Sequence, residues 1–144
     1  MKFWDSSALV PLLVEDAGSD AVREILRQDP DMIAWWGSDI ECASAIARRE
    51  RQGDMDAQSA NDACRRLSQL RGSWIEVHPT EETREMARRL LRVHDLRAGD
   101  SLQLAAAWTA AEHRPSSLEI VSADRRLSEA ALREGFAMRL LQGT

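Results

Sequence analysis

A chain of 144 residues, 44% hydrophobic and 30% charged, is long enough to bury one substantial core, too short for two, and far from the composition of disordered chains. Its formal net charge of -5 excludes bulk positive charge as a source of affinity for nucleic acid. The acids are unevenly placed: residues 1–47 carry nine against three bases, and residues 48–144 carry fifteen against sixteen. An acidic pocket in a near-neutral, Arg-rich surface is what a cation site needs, because the bound cation reverses the local sign before a phosphate arrives. Charge at Asp5 rules out a signal peptide or membrane span at the start, so a cytoplasmic protein is expected. Cys42 and Cys64 lack the second pair that would complete a zinc site and read as buried small hydrophobes.

In chain order, residues 2–5 form a short buried strand, after which Ser6 or Ser7 caps a helix over 8–14. Ser19 caps a second helix whose Ala21, Val22, Ile25 and Leu26 share one face before Pro30 ends it. Residues 32–36 make a second strand; Trp35 and Trp36 are neighbours on it and point to opposite faces. Gly37-Ser38-Asp39 opens a helix over about 40–51. Another follows with Ala60, Ala63, Cys64, Leu67 and Leu70 at helical spacing. Residues 74–78 alternate as a third strand, and Thr80 caps a helix with Met86, Ala87, Leu90 and Leu91 inward. The run 100–111 is apolar on almost every side, which marks a helix buried in the middle of the protein. Residues 118–122 form a fourth strand, 124–134 a helix and 136–141 a fifth strand.

Strands alternating with helices throughout imply a single domain over 1–144 with a mainly parallel sheet and right-handed crossovers. Ligands in such sheets bind at the carboxyl ends of the strands. Asp5 ends the first strand and Asp124 the fourth, while Glu41 and Asp100 each fall in the first turn of a helix after a break. Four carboxylates facing one crevice repel one another without a cation, and a hard divalent ion, magnesium or manganese, suits an all-oxygen donor set. Asp100 begins the most buried helix, where an unpaired carboxylate would cost several kcal/mol.

Four segments then carry a family resemblance. They are Phe3-Trp4-Asp5-Ser6-Ser7-Ala8-Leu9, Glu41-Cys42-Ala43-Ser44-Ala45-Ile46-Ala47-Arg48-Arg49, Leu96-Arg97-Ala98-Gly99-Asp100-Ser101-Leu102-Gln103-Leu104, and Val121-Ser122-Ala123-Asp124-Arg125-Arg126-Leu127. In this order they resemble the successive motifs of PIN domains, above all the VapC-type ribonuclease toxins of toxin–antitoxin pairs. The resemblance implies a three-layer α/β/α sandwich around a mainly parallel sheet of about five strands, magnesium-dependent RNA cleavage, a homodimer and a cognate antitoxin. It carries Asp5, Glu41, Asp100 and Asp124 onto the family's acidic positions, and Ser6 and Ser122 onto hydroxyl positions beside the metal. Trp36 before the glutamate motif and Gly99 before Asp100 depart from the family's usual residues without touching the acids.

Asp5 and Asp100 are expected as direct ligands, with Glu41 and Asp124 holding a second ion or acting through water. Arg48 and Arg49 follow Glu41 on one helix and are candidates for RNA phosphates. His78, His94 and His113 lie at element ends in unrelated contexts and are not expected in catalysis. A phospho-receiver domain would need a lysine near the last strand, and the only lysine is Lys2. A PIN-like binder that does not cut, and a housekeeping RNA-processing nuclease, are the alternatives to a toxin.

Overall fold

The computed structural model describes residues 1–141. Strands β1 (Lys2–Trp4), β2 (Met32–Trp35), β3 (Ile75–Val77), β4 (Glu119–Ser122) and β5 (Ala137–Leu140) alternate with helices α1 (Ser6–Leu13), α2 (Ser19–Gln28), α3 (Ser38–Arg51), α4 (Ala57–Ser73), α5 (Glu81–Val93), α6 (Ala98–Ala110) and α7 (Arg125–Glu134). All strand pairs are parallel, in the order β3-β2-β1-β4-β5. The expected α/β/α sandwich is therefore what the chain builds.

Strand alternation sets the two layers. Trp4, Met32, Ala34 and Val121 face α1 to α4, whereas Phe3, Ile33, Trp35 and Ile120 face the layer containing α5, α6 and α7. Because both faces are covered, β2 is buried at all four positions rather than at every second one. Among the described residues no helix is long and apolar enough to cross a membrane.

The site's position follows from topology. The chain runs outward from β1 through β2 to β3, then crosses back to enter β4 on the other side of β1. Loops leaving β1 and β4 diverge at that switch point and open a crevice at the strands' carboxyl ends. Asp5 and Ser122 flank it, tied by the Asp5 N–H donating to the Val121 carbonyl at 3.0 Å.

Four local expectations need correction. Neither Ser6 nor Ser7 caps α1: Asp5 occupies the cap position without a side-chain cap, and both hydroxyls serve carboxylates instead. Ser19 starts α2 rather than capping it, its hydroxyl bridging the Asp16 N–H and the Val14 carbonyl. Cys64 is exposed while Cys42 is buried, because α4 turns its Ala60, Ala63 and Leu67 stripe to the core. Leu91 is exposed because α5 buries only the stripe through Thr83, Ala87 and Leu90. Trp35 is buried, whereas Trp36 lies one residue beyond β2, in the turn before α3, and is 51% exposed.

Candidate functional site

Asp5 is the innermost of the four acids, only 3% exposed. Its Oδ2 accepts hydrogen bonds from Ser7 Oγ at 2.5 Å and Ser122 Oγ at 2.9 Å. Each hydroxyl also accepts a backbone N–H from the loop after β4: Ala123 donates to Ser7 at 2.9 Å and Asp124 to Ser122 at 2.9 Å. Two serines on different elements thus fix one carboxylate oxygen and leave Oδ1 without a hydrogen bond among the described residues. Burial pushes the Asp5 carboxyl up to about 6 against the pull of these two hydroxyls, and the charges of Glu41 and Asp124 push the same way.

Glu41 stands in the first turn of α3. Its Oε2 accepts from Ser6 Oγ at 2.6 Å and Gln103 Nε2 at 3.4 Å. Burial raises its pKa, these hydrogen bonds oppose the rise, and Asp100 adds to it. The turn before α3 has no room for a side chain at Gly37, where a Cβ would lie 2.5 Å from the Trp35 indole nitrogen. Trp35 packing therefore dictates the glycine that lets α3 start beside the crevice.

Asp100 projects from the first turn of α6. Burial raises its carboxyl to about 6, Asp124 and Asp5 push it further, and the backbone and charge of Arg97 pull against them. Asp124 caps α7, its Oδ1 accepting from the Leu127 N–H at 3.0 Å. Each of the four acids thus feels at least one other, and among the described residues none of them enters an ion pair. The β1–α1 junction, α3, α6 and the loop before α7 each supply one.

This donor set fits a hard divalent cation: all oxygens, with no ion-pair partner among the described residues. The fit is to a partly hydrated ion rather than a closed protein cage. Among the described residues no three His, Cys, Asp or Glu side chains already converge on one point, and magnesium retains several waters in any case.

Of the expected supporting residues, Ser6 holds Glu41 and Ser122 holds Asp5. Arg48 lines a groove of about 580 Å3 with Ser6, Ser7, Glu41 and Asp124. Arg49 turns away, pairing with Asp16 at 3.3 Å and lining a different groove.

Two residues escaped the sequence reading. Ser7 is as central as Ser122. Gln103 is fully buried on α6, one turn after Asp100, and donates to Ser38 Oγ at 2.9 Å as well as to Glu41, while its Oε1 has no partner. A glutamine inside the apolar run of α6 was the visible signal, since buried amides are normally satisfied.

Comparison with known proteins bears on the family and the fold. The family model described as PIN domain matches residues 2–132. No curated protein matches the sequence. Among solved structures, the Mycobacterium tuberculosis VapC20, titled a sarcin-ricin loop cleaving toxin, superposes with a TM-score of 0.69 at 19% identity, covering 95% of this chain and 97% of that one. FitAcB from Neisseria gonorrhoeae gives 0.67 at 17% identity, with 96% of both chains covered. A toxin–antitoxin complex from Klebsiella pneumoniae gives 0.63 at 13% identity, covering 89% and 91%. These identities speak to the fold.

Proposed function

We propose that this chain, which belongs to the PIN domain family, is a magnesium-dependent ribonuclease and the toxin of a toxin–antitoxin pair. One observation supports the reading: Asp5, Glu41, Asp100 and Asp124, from four separate places in the chain, influence one another electrostatically near the topological switch point, and among the described residues none of them enters an ion pair. Structures similar in fold include a toxin titled as cleaving the sarcin-ricin loop and a toxin–antitoxin complex, which supports RNA as substrate and an antitoxin as partner. The same reading makes the protein a cytoplasmic homodimer.

Asp5 and Asp100 would hold the cation directly, and Glu41 and Asp124 would hold a second ion or act through water. Magnesium, or manganese in its place, supplies Lewis-acid stabilisation of phosphate charge and a more acidic water. The protein's own part is positional. Ser7 and Ser122 lock one oxygen of Asp5 and leave the other without a hydrogen bond among the described residues, and Ser6 and Gln103 fix one oxygen of Glu41. Arg48 offers a guanidinium to a phosphate in the groove beside the acids. The test is a mixed panel of structured and single-stranded RNAs incubated with magnesium, with manganese and with chelator. Metal-dependent cutting is expected; RNA binding without cutting under any metal would favour a PIN-like binder instead.

Arg48→Gln is expected to raise KM about five- to tenfold with kcat little changed, as loss of uniform substrate binding does. Arg49→Gln, on the Asp16 side, leaves steady-state kinetics within twofold. Equal effects of the two would place the RNA elsewhere.

Gln103 is a positioning residue acting through Glu41. Gln103→Leu removes an orphaned buried carbonyl, itself a burden of about 1–3 kcal/mol, so thermal stability should hold or rise. Cleavage should nevertheless fall about tenfold or more, and Mn2+ affinity with it, in the range seen when groups supporting metal ligands are lost. Activity that merely follows stability would mark Gln103 as structural only.

A further inference from the structure

We propose that the cavity between the α5–α6 corner and α7 is a phosphate subsite for the RNA backbone, lined by His94 and rimmed by Arg125, Arg126 and Arg133. The proposal rests on the ribonuclease reading and extends it from the bond cleaved to the path of the strand.

The cavity has a volume of about 370 Å3 and is lined by His94, Asp95, Arg125, Arg126, Glu129, Ala130 and Arg133. It adjoins the acid crevice through the chain itself: Arg125 directly follows Asp124, and the corner at His94 leads through Arg97 to Asp100. Asp124 itself lines the Arg48 groove. A strand crossing Asp124 would therefore have Arg48 in one groove and Arg125 in the adjoining cavity for its flanking phosphates.

The chemistry of the lining favours an anion. The His94 side chain is 5% exposed and its Nε2 lies 2.6 Å from Glu134 Oε2. Glu134, its side chain 8% exposed, also takes Arg89 at 3.2 Å. One ring nitrogen of His94 is thus engaged by a carboxylate that Arg89 already partners. Arg23, Arg27, Arg65 and Arg84 each pair with an acid on their own helix. Arg125 and Arg133 enter no ion pair among the described residues. Arg126 only approaches Asp95 at 4.0 Å, both well exposed. Three guanidinium groups face two acids, Asp95 and Glu129, so the cavity lining carries an excess of positive charge in a chain that is acidic overall.

The test is equilibrium binding of a fluorescent single-stranded RNA across a salt series in chelator, using Asp5→Asn protein so that nothing is cut. Added to it are Arg125→Gln and Arg133→Gln, singly and together, with Arg71→Gln on α4 as the control. Each cavity substitution is expected to weaken binding about three- to tenfold and to reduce the salt slope by about 0.7, one phosphate contact on a single strand. The control leaves both unchanged. In cutting protein the double substitution raises KM with kcat within twofold. His94→Gln should act in the same direction, and because the His94 side chain is buried, the exposed Arg133 decides the outcome if that variant folds poorly. Unchanged affinity and slope in the double variant would overturn the subsite while leaving the nuclease reading intact, and weakened binding of an acidic antitoxin segment alone would assign the cavity to that partner. Wild-type protein that neither binds nor cuts RNA would remove both.

Discussion

Asp5→Asn is expected to lower kcat/KM for RNA cleavage on the order of a thousandfold, the scale seen when one preorganised electrostatic group is removed from an active site. The same substitution should leave the metal-free fold at least as stable as before. The Asp5 carboxyl is buried and raised to about 6, so at neutral pH its charge weakens the fold instead of supporting it. A rise of about two pKa units corresponds to roughly 3 kcal/mol at pH 7. An asparagine oxygen still accepts from Ser7 and Ser122, so the local network survives. Thermal melts in chelator beside cleavage assays check both halves. A variant that loses activity because it unfolds would contradict the assignment, since Asp5 would then be a structural carboxylate.

The second large effect is a reversal of the pH dependence of stability by metal. For Asp5 and Asp100 the folded pKa, about 6, lies above the unfolded value of 3.8. Between these values the native state binds more protons than the unfolded state, so their contribution to stability is full below about pH 4. It is lost as pH rises to about 6 and is constant above that. A divalent cation binds the ionised site, so its stabilisation runs the other way, small at pH 5 and full above pH 7. At a hundred times its Kd it adds about 2.7 kcal/mol, which for a domain of this size is roughly 5–10 °C in Tm. The comparison is between wild type and the Asp5→Asn, Asp100→Asn double variant, with and without magnesium, at pH 5 and pH 7.5. Carboxylates outside the crevice titrate alike in both proteins and cancel, while Glu41 loses the upward push of the Asp100 charge in the variant. A magnesium shift of equal size at the two pH values, or one that survives in the double variant, would place the ion elsewhere.

The fold was largely legible because hydrophobic patterning changes period so cleanly. The near-continuous apolar run at Met32 to Trp35 could only be a strand covered on both faces, and the run of α6 could only be an interior helix. The acids stood out in the sequence because three of them border apolar elements. Asp5 sits at the end of a buried strand, Asp100 at the start of the most buried helix, and Asp124 directly after β4. What was not legible was which hydroxyl serves which carboxylate. Ser6 and Ser7 are adjacent and chemically equal, and only the angle at which α1 leaves β1 sends Ser6 to Glu41 and Ser7 to Asp5. The same holds for Arg48 and Arg49, a helical step of about 100° apart, of which one reaches the groove and the other Asp16. The exposure of Leu91 shows the same limit, because an apolar side chain at the edge of a helical stripe does not record how wide its neighbour is. His94 was set aside as one of three unrelated histidines, and its partner Glu134 lies forty residues away in the chain.

A direct titration of Mn2+ into the wild-type protein, the Asp5→Asn variant and the Asp100→Asn variant by calorimetry at pH 7.5 goes to the heart of the matter. A carboxylate metal site at the β1/β4 switch point gives saturable binding in the wild type, weakened at least tenfold or lost in both variants. Identical isotherms for all three proteins, or no binding to the wild type, would contradict it.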